Sequence, residues 1–152
     1  QEGSGATACE SCAEGYYCAE GSSAGLPCPA GSYQNMTLAR LNISMTSADD
    51  CETCPIGSFC STGSFEPTEC SPGTVQPAEG RGTCDDCEAG KYQEGTGEMA
   101  CVTCPAGSYC VEGAAAALPC LAGSYSGDYG LAAAEQCDRC SLGSACSTGA
   151  IE

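Results

Sequence analysis

The stretch CPAGSYC, Cys104 to Cys110, sets two cysteines five residues apart around a proline, a glycine and an aromatic ring. Variants of it recur as CAEGYYC from Cys12, CPIGSFC from Cys54 and CSLGSAC from Cys140. What these cysteines bind, whether each other, a metal or a substrate, therefore decides the reading of the whole chain.

Working outward, the smallest repeated unit is Cys-x-x-Gly followed two residues later by an aromatic. It starts at Cys12, Cys28, Cys54, Cys70, Cys87, Cys104, Cys120 and Cys140. The glycines of these units, from Gly15 to Gly143, predict a turn with positive φ or a close backbone approach. Tyr17, Tyr33, Phe59, Tyr92, Tyr109 and Tyr125 supply the flat side chain, with Val75 and Ala145 as exceptions. We expect the rings to pack on neighbouring disulfides. Four loops are short, with five residues between cysteines, and four are long, with 22, 13, 13 and 16. Two of the long loops follow one another directly, so the long loop is a module in its own right.

Composition fits a chain held by cross-links. There are 17 cysteines in 152 residues, whereas Leu, Ile, Val and Phe together number only 15. So few large apolar side chains cannot build an ordinary core, and without staples such a sequence stays disordered. Each bridge across loops of this size contributes roughly 2 to 3.5 kcal/mol on the chain-entropy model. Such bridges persist in oxidising compartments, which predicts an extracellular setting: secreted, cell surface or extracellular filament. Asn35-Met36-Thr37 and Asn42-Ile43-Ser44 are acceptor sequences for N-linked glycans, both in one cysteine-free segment.

The net charge of −16, with only four basic side chains, disfavours nucleic acid and anionic lipid as partners. Asp49-Asp50 and Asp85-Asp86 lack the spaced oxygen ligands of a calcium loop. No apolar run is long enough to insert directly into a membrane, and no leader peptide is visible. The first residue is not Met, and the chain reads as an excerpt of a longer protein. Without histidine, Ser-His and Cys-His nucleophile pairs and mixed Cys/His zinc sites are impossible. No carboxylate pair sits in an apolar setting suited to acid–base work. Catalytic residues, metal ligands and cofactors are therefore expected to be none, and the chain is read as not an enzyme. Cys84-x-x-Cys87 and Cys101-x-x-Cys104 approach zinc-ribbon spacing, but the interleaved short loops favour disulfides. GTGEMA, Gly95 to Ala100, opens no helix and is read as a loop, and GAAAALP, Gly113 to Pro119, as a plain linker turn.

If each loop closes on itself, the pairs are Cys12–Cys18, Cys28–Cys51, Cys54–Cys60, Cys70–Cys84, Cys87–Cys101, Cys104–Cys110, Cys120–Cys137 and Cys140–Cys146. Cys9 is then left for a partner upstream of the segment. Cys18, Cys60 and Cys110 are followed at one fixed spacing by Cys28, Cys70 and Cys120, and the same spacing puts the cysteine expected after Cys146 four residues beyond Glu152. A crossed arrangement, Cys9–Cys18 and Cys12–Cys28 repeated down the chain, is the rival, and it forces Cys84 onto Cys87. Spacing alone leaves both open.

The grammar resembles the ephrin-receptor-like cysteine-rich repeats and, more distantly, the one-disulfide modules of tumour-necrosis-factor receptors. The residues that carry the resemblance are PCPAGSYQ at Pro27 to Gln34, CPIGSFCSTGSFEPTECSPGT at Cys54 to Thr74, and CPAGSYCVEGAAAALPCLAGSYS at Cys104 to Ser126. It implies an elongated, disulfide-laddered stalk of the kind found in receptor ectodomains, large surface proteins and extracellular filaments. It carries over no binding residues.

The expected fold is small and disulfide-rich: an elongated tandem array of cysteine-rich modules with short two-stranded ribbons at the long loops and little helix. Residues 1–50 form a first repeat with a long insertion at 34–48, and 51–83 a second. Residues 84–100 form a short single-loop module, 101–136 a fourth repeat and 137–152 a truncated fifth. Within the insertion, Met36, Leu38, Leu41, Ile43 and Met45 alternate with polar residues in the manner of a strand, with Asn35 and Asn42 on the polar side, which suits a ribbon with a sugar-bearing face, the alternative being a floppy glycosylated loop. The functional expectation is a glycosylated structural stalk or filament subunit whose partners are copies of itself or neighbouring chains. The alternative is a receptor ectodomain or ligand-binding module using Leu41 and Ile43.

Overall fold

The computed structural model describes residues 12–152. All eight turn glycines adopt positive φ, between 74° and 89°, a region in which a Cβ is strained. Seven of the eight glycines are followed by a two-residue strand, and each of these strands pairs antiparallel with the two residues just before the next module's first cysteine. The ribbons are β1 (Tyr16–Tyr17) with β2 (Leu26–Pro27), β3 (Ser32–Tyr33) with β4 (Glu52–Thr53), and β5 (Ser58–Phe59) with β6 (Thr68–Glu69). They continue with β7 (Thr74–Val75) and β8 (Asp85–Asp86), β9 (Lys91–Tyr92) and β10 (Val102–Thr103), β11 (Ser108–Tyr109) and β12 (Leu118–Pro119), and β13 (Ser124–Tyr125) and β14 (Asp138–Arg139). A ribbon thus lies at every junction, after short loops as well as long ones. This corrects the expectation that ribbons belong to the long loops. The residues inside Cys51-x-x-Cys54, Cys84-x-x-Cys87, Cys101-x-x-Cys104 and Cys137-x-x-Cys140 are themselves strands.

Two-residue ribbons are too short to hold by themselves. The remaining order comes from four further backbone hydrogen bonds at each joint, shown by the module at Cys54 and its successor at Cys70. Gly57 N–H donates to Gln76 O at 2.8 Å, Cys60 N–H to Arg81 O at 3.0 Å, Cys70 N–H to Gly57 O at 2.9 Å and Gly80 N–H to Cys54 O at 2.8 Å. The same four bonds recur at all six joints from the Cys28 module onward. Contact also skips a module. A Cβ on Gly57 would strike Gly97 O, and Gly15, Gly31, Gly73, Gly90 and Gly107 each face a glycine carbonyl in the same way, those of Gly63, Gly80, Gly113, Gly130 and Gly149. Modules are therefore pinned to their neighbours and to their next neighbours, which makes a continuous stack rather than beads on a flexible string.

The interior of this stack is sulfur. Cys28, Cys54, Cys60, Cys70, Cys87, Cys104, Cys110 and Cys120 are fully buried, with Val75, Met45, Ala114 and Leu131 as the other buried apolar residues. Tyr92 packs against the cluster of Cys104, Cys110 and Ala114, as the expectation for the aromatic position requires. Ala114 lies in the alanine run that reads as a plain linker. Its carbonyl accepts from Gln93 N at 3.1 Å, and Gly113 N donates to Cys87 O at 2.7 Å, so the run is part of a joint.

The insertion departs from the strand expectation. Met36–Arg40 is a short helix, α1, with Asn35 as its N-cap. Backbone groups need partners. Ser32–Tyr33 is already paired with β4 on one side, and Tyr33 bridges to Ser64 on the other, so the insertion finds no open edge. It satisfies its amides locally instead, and Met36, Leu38 and Leu41 fall on no buried face of the helix.

Candidate functional site

Among the described residues, eight disulfides join Cys12–Cys18, Cys28–Cys51, Cys54–Cys60, Cys70–Cys84, Cys87–Cys101, Cys104–Cys110, Cys120–Cys137 and Cys140–Cys146. Their Cα–Cα separations, 5.8 to 6.1 Å, suit a disulfide. Each bridge closes one loop, and Cys84 and Cys87 belong to different bridges. The upstream partner expected for Cys9 lies outside the described residues.

A second kind of staple escaped the sequence reading. In short loops the third residue after the turn glycine is the closing cysteine, whereas in long loops that position holds Gln34, Gln76, Gln93 or Ser126. Gln76 and Gln93 are buried. Gln76 Nε2 donates to Thr83 O at 2.7 Å and its Oε1 accepts from Ala78 N at 3.0 Å. Gln93 makes the same pair with Ala100 O and Gly95 N, at 2.7 and 2.9 Å. A neutral amide with one acceptor and two donors thereby clips the loop shut where a short loop uses sulfur. Ser126 Oγ accepts from Asp128 N. The signal was present as a fixed position alternating between Cys and Gln or Ser.

The insertion modifies the first joint. Gln34 Oε1 accepts from Gly15 N at 3.0 Å, and Met45 O accepts from Cys18 N at 2.9 Å. Met45 is buried, and its sulfur faces Asn35 N at 3.4 Å. Asn35 Oδ1 accepts from Thr37 N and Leu38 N at 3.0 and 3.1 Å, while its Nδ2 is left unused by the cap. Asn42 is exposed with φ +58° just past the end of α1, a conformation that asparagine tolerates. Leu41 and Ile43 beside it are 64% and 51% exposed. A groove of about 220 Å³ runs between Ala39, Ile43 and Met45 of the insertion and Glu14 and Tyr16 of the first module. The structure thus brings Asn42, Leu41 and Ile43 to one exposed edge and ties Asn35 into the helix start.

Among the described residues, two titrating groups are shifted. Asp50 Oδ2 accepts from Thr46 N and Ser47 N at 2.7 and 3.1 Å, and these bonds hold its carboxyl below the ordinary aspartate range. Gln136 plays the same part with Ala132 N and Ala133 N before Cys137. Tyr33 is raised above the usual tyrosine value because its hydroxyl hydrogen-bonds to the Glu52 carboxylate across the ribbon. No group of three or more Cys, Asp or Glu side chains capable of holding a metal occurs among the described residues.

The two consecutive long loops and the short loop after them decide the comparison with known proteins. Residues 73–117 match the family described as tyrosine-protein kinase ephrin type A/B receptor-like. This stretch is similar to the ephrin-receptor-like cysteine-rich repeat. The match spans Cys84 and Cys87, so the missing short loop at that junction does not break the ephrin-receptor-like pattern. The matched stretch is disulfide-rich and of a receptor-like type. All eight bridged modules, inside the matched stretch and outside it, follow the same grammar. Together they fit an extracellular type of module, and no helix of the described residues is long and apolar enough to cross a membrane. No curated protein matches the chain.

Proposed function

We propose that this chain is a segment of an extracellular stalk or filament, a glycosylated and disulfide-laddered spacer. The observation that carries the proposal is the repeated four-bond joint with its next-neighbour glycine contact. A polypeptide evolved only to display a binding loop has no need of six identical joints in series. Repeats that contact mainly their neighbours give a quasi-linear body, and here the second-neighbour contact stiffens it. Glycans at Asn35 and Asn42 would stand on one side of the first joint and shield it from proteases. With net charge −16, copies of the rod repel laterally at low salt, so assembly in series with copies of itself or neighbouring chains is favoured over bundling.

A receptor ectodomain or ligand-binding module is the second reading. Exposed Leu41 and Ile43 beside the groove, together with the receptor-type family match, support it. Negative-stain images of native material separate the two: regular fibres built from this chain support the filament and end the receptor reading, whereas dispersed monomers or small complexes do the opposite.

A further inference from the structure

Of the four basic side chains, three sit where the backbone is committed to the stack. Lys91 lies in β9 opposite Thr103, and Arg139 in β14 opposite Ser124. Arg81 O accepts from Cys60 N at 3.0 Å, so the carbonyl that a protease would attack there belongs to a joint. Arg40 stands apart. It is the exposed last residue of α1, inside the Cys28–Cys51 loop, whose 22 residues exceed the 13, 13 and 16 of the other long loops. Among the described residues, the backbone bonds of 36–44 stay within the segment or reach only Asn35. Ala39 N donates to Asn35 O at 3.0 Å, Leu41 N to Thr37 O at 3.2 Å, Asn42 N to Ala39 O at 3.1 Å and Ile43 N to Leu38 O at 2.9 Å. A five-residue helix with no buried residue is too short to stand alone in water, so this segment opens locally at small cost. Opening leaves its anchors in place, Gln34 N on Ser64 O and Cys18 N on Met45 O.

We infer that the Arg40–Leu41 bond is a cleavage point for an arginine-specific serine protease, closed by a glycan on Asn42 and open when that asparagine is bare. Such a protease takes the arginine side chain into an acidic pocket and works best on exposed, locally opened chain. The C–N bond between Arg40 and Leu41 breaks, and water supplies the hydroxyl of the new Arg40 carboxyl and the hydrogen of the new Leu41 amine. Asn42 is exposed two residues past that bond, so a sugar on it stands in the way of a protease gripping the far side of the cut. Cleavage does not sever the chain, because Cys28–Cys51 spans it. It divides a wall of the groove instead, with Ala39 on one side of the break and Ile43 and Met45 on the other, and so uncovers Glu14 and Tyr16 behind it. The gate rests on the glycosylated-stalk reading; the cleavage point does not.

The test treats three unreduced forms of the chain with limiting trypsin. Thr37→Ala keeps only the Asn42 acceptor sequence, Thr37→Ala with Ser44→Ala keeps neither while retaining both asparagines, and the third form adds Arg40→Gln to that pair. Peptide mapping reports whether Asn42 carries sugar. The doubly substituted chain should gain one water and part on reduction into residues 1–40 and 41–152, with Arg40 cut roughly tenfold or more faster than Arg81, Lys91 or Arg139. Arg40→Gln should abolish that nick, and Thr37→Ala, bearing its Asn42 sugar, should resist it by a similar factor. Amide exchange at Gly57 and Cys60 should be the same before and after the nick, since their joint lies outside the loop. Comparable cutting at all four basic residues of the doubly substituted chain, or no cut at Arg40 under conditions that digest the reduced chain, would overturn the cleavage point. Nicking of sugar-bearing Thr37→Ala as fast as the doubly substituted chain would overturn the gate. A Thr37→Ala chain found bare at Asn42 and nicked at Arg40 would uphold the cleavage point and remove that glycan from the proposed stalk.

Discussion

At the residue scale, glycine and glutamine carry structural duties that composition conceals. Gly57 needs both a positive φ and an empty α-face, because the Gly97 carbonyl sits where its Cβ would be. Gly21 needs only the φ, since nothing lies where its Cβ would be. Gly57→Ala is therefore expected to cost more than the roughly 1–2 kcal/mol of the left-handed conformation alone, and Gly21→Ala about that amount. Denaturant unfolding with disulfides intact checks the difference. Gln76→Ala removes two hydrogen bonds of about 1 kcal/mol each and should speed exchange at the Ala78 amide without opening Cys70–Cys84. Asp50 carries a pH dependence. Its pKa is depressed in the folded chain, so its cap is present above the unfolded value near ~3.9 and is lost as pH falls through the lower folded value. Thr46 and Ser47 amides should lose protection in that acid window. Asp50→Asn, which imitates the neutral cap of Gln136, should keep the protection and abolish the pH dependence.

At the element scale, the turn glycines and the loop classes were legible because each rests on local chemistry repeated along the chain. What stayed illegible needed partners distant in sequence. The ribbon at every junction depends on which strand edge meets which, and no period in the sequence states that Thr74–Val75 pairs with Asp85–Asp86. The insertion was misread because alternation of Met36, Leu38, Leu41 and Ile43 says nothing about the availability of an edge, and a capped helix was the conformation left to it. Burial ranks the short bridges. Cys54–Cys60 and Cys104–Cys110 are fully buried, while Cys140 and Cys146 are partly exposed. Access limits thiol exchange. Limiting reductant followed by alkylation should label Cys140 and Cys146 well before Cys54, Cys60, Cys104 or Cys110; simultaneous labelling would contradict the buried stack.

At the scale of the whole molecule, the sequence made clear that sulfur replaces an apolar core, whereas the continuity of the stack emerged only from the joints. Two systems of staples run through the chain. Disulfides close each module, and backbone hydrogen bonds, set by glycines that tolerate close approach, fix one module to the next. The second depends on the first, because the carbonyl of Cys54 and the amide of Cys60 reach their partners only while the loop between them is held. The junction of the two long loops tests this dependence most sharply, since ladder and crossed connectivities differ there and the strand Asp85–Asp86 lies between the two cysteines at issue. Proteolysis of the unreduced protein at Asp85 or Asp86, with further cuts at Glu79 and Glu94, followed by mass spectrometry, reads the pairs directly. The account predicts one peptide pair linked by Cys70–Cys84 and another by Cys87–Cys101; a bond between Cys84 and Cys87 would contradict it.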